Sequence, residues 1–185
     1  MSFIKLTKER YSVRKFSGKA VEDEKLNLIL EAGRLSPTAV NYQPQRILVI
    51  RGEEGMDKLK SCRRDTFGAP LALLVCYDKN VSWKNRSGKE YGEVDAAIVI
   101  TQMMYAAQEL GLGSLWAAGY KEDDLKKAFS IPDFLVPVSV LLLGYPAEDA
   151  EPHPTLHYSR HELEKTVFYD SFEGIEAGEN TQGKH

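Results

Sequence analysis

The feature that most constrains this chain is a long segment without a hydrophilic side. Glu93 to Leu110, EVDAAIVITQMMYAAQEL, has the length and spacing of a helix. Val94, Ala97, Ile98, Thr101 and Tyr105 line one side, while Ala96, Val99, Ile100 and Met103 are apolar on another. A helix that is hydrophobic nearly all round must be covered nearly all round. The chain has 185 residues, enough for one domain with a sizeable core and short for two. The surplus apolar face is therefore expected to pack against another subunit.

The other elements follow from period and punctuation. Glu22 to Leu35 reads as a helix: acids crowd its first turn, and Leu26, Ile29, Leu30 and Gly33 recur at i, i+3, i+4 and i+7. Pro37 disfavours helical geometry at Ser36 and ends it. Ile47–Ile50 and Leu71–Tyr77 read as buried strands, with a helix over Glu53–Cys62 between them. Gly111–Tyr120 leaves the central helix through glycines into a short strand. Glu122–Phe129 is a further helix, and Val136–Leu143 is the strongest strand pattern of all. The stretch DKNVSWKNRSGKEYG around Trp83, with Lys79, Lys84, Arg86 and Lys89, reads as an exposed, mobile loop, or alternatively as a lid or a docking patch for dinucleotide phosphates. After Tyr145 the chain turns rich in Pro, His and Glu, with one apolar patch from Leu163 to Phe172 and then a polar tail. Such a tail wraps over its own domain or a partner's. No internal repeat is visible.

A net charge of −3 gives no electrostatic case for nucleic acid or an anionic membrane. No apolar run is long enough to span a bilayer, and the N-terminus has no core of signal-peptide length. The two cysteines, Cys62 and Cys76, sit in apolar patterns and read as core residues of a protein in a reducing compartment, the cytoplasm. His153, His157 and His161 are spaced by four, but Pro152 and Pro154 bracket the first, so no metal site is expected.

Two polar stretches have no packing task. Ser36–Arg46, SPTAVNYQPQR, spends two prolines, an asparagine and two glutamines where a short connector would do. In Arg10-Tyr11-Ser12-Val13-Arg14, an extended backbone would put both guanidinium groups and the hydroxyl on one face. That arrangement suits a phosphate. A solvated charge run pairing with Glu22 or Glu24 is the plainer reading.

RYSVRKF, SPTAVNYQPQR, EVDAAIVITQMMYAAQELGLGSLWAAGY and VSVLLLGYPAE, in this order and rough spacing over most of residues 1–170, resemble the shorter members of the nitroreductase family of flavin enzymes. The resemblance implies an α+β fold, a mainly antiparallel sheet covered by helices, with a C-terminal extension wrapping the partner subunit. It implies one FMN-binding domain over residues 1–170, a polar tail over 171–185, and a homodimer holding FMN at the subunit interface. Arg10, Tyr11, Ser12 and Arg14 would then hold the phosphate, ribityl or pyrimidine end of FMN, joined by Arg160 at the phosphate. Pro37, Thr38 and Ala39 would lie over the isoalloxazine ring bound by the other subunit, with Asn41 and Gln43, and Gln45 beyond them, supplying amides to its polar edge.

Leu115 and Trp116 would lead into the strand end at Ala118 and Gly119, where a backbone N–H would donate to the hydride-accepting nitrogen. Some larger relatives have an acid where this chain has Ala118. The implied activity is passage of a hydride from NAD(P)H through FMN to a nitroaromatic, quinone or related small-molecule acceptor, by ping-pong kinetics and without a catalytic side chain. A flavin-binding or storage protein without turnover, or a flavin-fragmenting or dehalogenating relative, are the alternatives.

Overall fold

The computed structural model describes residues 2–63, 65–175 and 177. They fall into two compact units, Met1–His153 and Pro154–His185. Of the polar tail expected over 171–185, residues 176 and 178–185 lie outside the described residues.

The first unit is built on a sheet of four strands: β1 (Gln45–Arg51), β2 (Leu71–Asp78), β3 (Gly113–Ala117) and β4 (Leu135–Gly144). Their spatial order is β1-β2-β4-β3, and every neighbouring pair is antiparallel. β2 is buried along its whole length, which is why its sequence LALLVCYD is a continuous apolar run rather than an alternating one. The alternation survives as a choice of face. Ala72, Leu74, Cys76, Val140 and Leu142 enter one core, and Leu71, Leu73, Val75, Leu141 and Leu143 enter the other.

Helices cover both faces. The first core is closed by Leu59 and Cys62 of α3 (Gly52–Cys62) and by Leu125 of α5 (Glu122–Phe129). The second is closed by Leu26 and Ile29 of α2 (Asp23–Arg34) and by Ala96, Val99, Ile100, Met103 and Ala107 of α4 (Gly92–Glu109). Burying one such Leu, Ile or Val side chain is worth about 1.5–3 kcal/mol, whereas an exposed ion pair such as Arg34–Glu31 contributes roughly 0–1 kcal/mol. The two cores hold the layers together. The architecture is thus α+β, a wholly antiparallel sheet between two helical layers, as the blocks of sequence imply.

Three local findings refine the sequence reading. Residues Phe3–Glu9 form a helix, α1, where only apolar positions were legible; the Ser2 hydroxyl caps it by accepting from the Lys5 N–H at 3.3 Å. Pro137 sits within β4, and its missing N–H is accommodated by an irregularity in which Cys76 pairs with Pro137 and Val75 with Ser139. The Trp83 stretch, expected to be an exposed, mobile loop, is exposed over much of its length and built of hydrogen-bonded turns. The Asn85 side chain accepts from the Ser87 N–H, the Ser87 hydroxyl and the Lys89 N–H at 2.7–3.0 Å, Ser82 is buried, and the Trp83 ring lies 5.0 Å from that of Tyr91.

The second unit is described by turns and one 3-10 turn at Leu163–Lys165. Its apolar side chains Leu163, Tyr169 and Phe172 are exposed.

Candidate functional site

The basic segment after α1 is extended from its first residue, Arg10 (φ −63°, ψ 129°). Ser12 pairs in parallel with Ser114 of β3, and the Val13 N–H donates to the Ser114 carbonyl at 3.0 Å. Val13 is 1% exposed, and Val13 and Tyr11 both pack into the first core. The Tyr11 hydroxyl donates to the Ala150 carbonyl at 3.2 Å, and burial, then Glu151, raises its pKa. With alternate residues turned to the core, Arg10, Ser12 and Arg14 share the opposite face. Arg14 is exposed, its Nη1 3.4 Å from the Ser12 carbonyl. Arg10 differs: its Nε is buried and has no hydrogen-bond partner. A buried guanidinium donor without an acceptor is costly, and an anionic or carbonyl oxygen would relieve it.

The strand end lies next to this segment. Leu115 is buried in the first core, and Trp116, half-buried, packs on the second. The Ala117 carbonyl accepts from the buried Ser139 hydroxyl at 3.0 Å, which fixes the last residue of β3. Ala118 and Gly119 then leave the sheet and are exposed; a Cβ built on Gly119 would meet nothing within 4 Å.

Gly119 opens onto a cavity of about 550 Å³ lined also by Ser61, Cys62, Arg63, Tyr120 and Lys121. Its two walls are joined by an antiparallel bridge between Arg63 and Tyr120, and by the Lys121 N–H donating to the Cys62 carbonyl at 3.1 Å. Arg63 donates through Nη1 to the Asp65 carbonyl, but its Nε is buried without a partner. Burial lowers the Arg63 pKa, opposed by the charge of Asp65. The Tyr120 hydroxyl is pushed up to about 12, by burial first and then by Glu122, Cys76 and Glu93. Among the described residues that line it, the cavity has the cations Arg63 and Lys121 and no carboxylate. Arg63 lines this cavity, and the pattern reading passed it over. Its only signal is a pair of arginines directly after a helix, which is also where the helix dipole favours cations.

The Ser36–Arg46 connector is compact. The Thr38 hydroxyl accepts from the Gln43 N–H at 3.1 Å, and residues Ala39–Asn41 form a 3-10 turn. Val40, Asn41 and Gln43 have φ of 52°, 56° and 50°, a left-handed region that a β-branched residue rarely enters. Such residues cost of order 1–3 kcal/mol each and persist where the surroundings over-determine them. The Ala39 N–H donates to Asp95 Oδ1 of α4 at 2.8 Å. Pro37, Asn41 and Gln43 are exposed, Thr38 and Ala39 half-buried. The loop base is closed by the Asp78 N–H donating to the Pro44 carbonyl at 2.9 Å. The Oε1 of Gln45 is buried without a partner. Asp95 was hidden in the sequence because an acid in the first turn of a helix needs no further explanation.

The structure sets the Arg10–Arg14 segment beside β3 through the Ser12–Ser114 pairing, with Ala118 and Gly119 further along the same chain direction, past the end of the strand. Residues Pro37–Gln43 are held separately, on α4 and at the β1–β2 end of the sheet. Arg160 belongs to the second unit, where Nη1 donates to the Leu156 and Ser159 carbonyls at 2.9 and 2.6 Å. Among the described residues no helix is long and apolar enough to cross a membrane.

The model of the nitroreductase family matches residues 7–64 and 58–145 of this chain. A candidate NADH dehydrogenase/NAD(P)H nitroreductase of Methanothermobacter thermautotrophicus is 31% identical over 174 residues, covering 89% of this chain and 88% of its own length. A nitroreductase family protein from Clostridium difficile 630 superposes with a TM-score of 0.87 at 40% identity, covering 92% of this chain and 99% of that one. An FMN-dependent nitroreductase from Clostridium difficile R20291 superposes with a TM-score of 0.75 at 25% identity, covering 92% and 100%. A match that runs from the basic segment through the strained loop and α4 to the end of β4 places this chain in the nitroreductase family.

Proposed function

We propose that this protein is an FMN-dependent NAD(P)H oxidoreductase. The observation that carries the reading is the buried, unpartnered Nε of Arg10, on the face it shares with Ser12 and Arg14 beside β3. Arg63, whose Nε is likewise buried without a partner, lines the cavity onto which Gly119 opens. Arginines beside β3 and an open cavity past its end suit a ligand that bears carbonyls and a phosphate. The FMN-dependent relative from Clostridium difficile R20291 supports the same assignment.

On this reading Arg10, Ser12 and Arg14 bind the phosphate, ribityl and pyrimidine end, with Tyr11 nearby through its backbone and Arg160 at the phosphate. Leu115 and Trp116 set the position of Ala118 and Gly119, whose backbone donates to the ring. Pro37, Thr38 and Ala39 cover the ring face, while Asn41 and Gln43 meet its polar edge. When bound, FMN supplies two-electron exchange between NAD(P)H and a nitroaromatic, quinone or related acceptor, the two substrates taking turns in one slot. The side chains bind, align and exclude water; none needs to act as nucleophile or general base.

The unit of function is a homodimer, with the loop of one subunit over the ring held by the other. Its support is the side of α4 turned away from the core, where Val94 is exposed and Ala97 and Ile98 are half-buried. The FMN-binding domain is assigned to residues 1–170 with 171–185 as a tail, the extension from Pro154 wrapping the partner. Two buried free thiols, Cys62 and Cys76, fit a cytoplasmic protein.

The deciding experiment is the visible spectrum of the purified protein, repeated without oxygen after adding NADH or NADPH. A flavin band that bleaches is the expected result. A flavin that stays oxidised overturns the assignment as an NAD(P)H oxidoreductase, and a protein that takes up no FMN overturns the cofactor as well.

A further inference from the structure

We infer that Asp95 is the positioning residue for the Pro37–Gln43 loop, holding it in the shape that receives the cofactor; this rests on the function proposed above. Asp95 lies in the first turn of α4 and is 1% exposed. Its own N–H donates to the Tyr91 carbonyl at 2.9 Å, so the helix fixes its backbone. Oδ1 accepts the Ala39 N–H at 2.8 Å. Ala39 immediately precedes Val40 and Asn41, both in the left-handed region.

Every other hydrogen bond made by residues 38–43 among the described residues stays within the Ser36–Arg46 connector: Asn41 to Thr38, Tyr42 to Ala39, Gln43 to Thr38 and Asn41, and Arg46 to Gln43. Those bonds shape the turn but do not attach it to anything. The carboxylate of Asp95 is what ties it to the helix that also carries the dimer face proposed above. A buried acceptor fixed on a helix holds the strained turn in place.

Oδ2 of Asp95 is buried without a partner, so the carboxylate is only half satisfied within this chain. One oxygen is all the loop requires. Asparagine would supply that oxygen at the same place, whereas alanine would not.

The test compares wild type, Asp95→Asn and Asp95→Ala by three measurements: thermal melting, hydrogen exchange of the Ala39 amide in flavin-stripped protein, and FMN titration followed by flavin fluorescence. Asp95→Ala should exchange the Ala39 amide about tenfold faster or more, and bind FMN about tenfold more weakly. Asp95→Asn should keep both within about threefold of wild type, because the acceptor oxygen remains.

Unchanged exchange in Asp95→Ala overturns the inference, and so does faster exchange with undiminished FMN affinity. Loss of FMN affinity in Asp95→Asn with Ala39 still protected also overturns it, since that assigns the effect to charge or to Oδ2. If Asp95→Ala does not fold, Asp95→Asn carries the decision through its retained protection and affinity. Wild-type protein that takes up no FMN overturns the proposed function and the cofactor half of this inference, while exchange at Ala39 still decides whether Asp95 anchors the loop.

Discussion

Ser12 and Ser114 lie side by side as a parallel bridge, and this pairing joins the basic N-terminal segment to the strand that ends at Ala117. Parallel neighbours need no turn between them, so 101 intervening residues, Val13 to Gly113, can be folded into the rest of the sheet and its helices. The guanidinium of Arg10 is thereby set beside a strand that is remote in sequence.

Arg10→Ala is expected to weaken FMN binding about tenfold or more, because a charge-assisted hydrogen bond to the cofactor is lost. Thermal stability of the flavin-free protein should change little, since Nε has no partner within the chain to lose. Fluorescence titration with FMN and a melting curve of the stripped protein check the two halves. Equal FMN affinity would remove Arg10 from the site.

Gly113→Ala should destabilise the fold where the site is joined together. A Cβ at Gly113 would stand 2.5 Å from Val13 Cγ2 and 3.0 Å from Pro146 Cγ, closer than packed carbon atoms tolerate. Overpacking of this kind costs about 1–3 kcal/mol. In a chain of this size each kcal/mol lowers Tm by about 2–4 °C. An unchanged melting temperature would mean that the N-terminal segment shifts freely against β3, contrary to the close packing seen here.

The Glu22 carboxylate accepts from the Tyr145 hydroxyl at 2.6 Å, and Tyr145 in turn accepts from Lys25 Nζ at 2.7 Å. The Tyr145 hydrogen bond, followed by Glu22's own backbone and the charges of Lys19 and Lys25, lowers the Glu22 pKa from 4.5 to about 2. A carboxylate with a depressed folded pKa stabilises the fold fully above its unfolded value, and this contribution is lost as pH falls through the folded value. Melting of wild type and Tyr145→Phe across acid pH should therefore show a difference that is full above pH 4.5 and shrinks toward about pH 2. A difference independent of pH would assign the stabilisation to Lys25 alone.

Much of the fold was legible in single segments. The spacing of Leu26, Ile29 and Gly33 marked α2, Pro37 marked its end, and the apolar run at Leu71–Tyr77 marked a strand buried on both faces. These are local signals, since period and punctuation lie within ten residues or so of chain. The four blocks that resemble the nitroreductase family also named Arg10, Ser12, Asn41 and Gly119 before any geometry was known.

Arg63 and Asp95 were not legible in that way. An arginine after a helix and an acid at the start of one are both ordinary occupants of those places. Only tertiary structure distinguishes them, because burial and a missing or distant partner are properties of the assembled chain: Arg63 lines a cavity with Gly119, and Asp95 reaches Ala39 across 56 positions. The sequence by itself determined most of the elements, though not α1, and the family with its helix-covered sheet, since each rests on a local pattern or on blocks in order. Which of Tyr11 and Arg10 turns inward, which nitrogen is left without a partner, and which carboxylate holds the strained loop were decided by the pairing of the segment after α1 with β3 and of the loop with α4, through contacts that no local window contains.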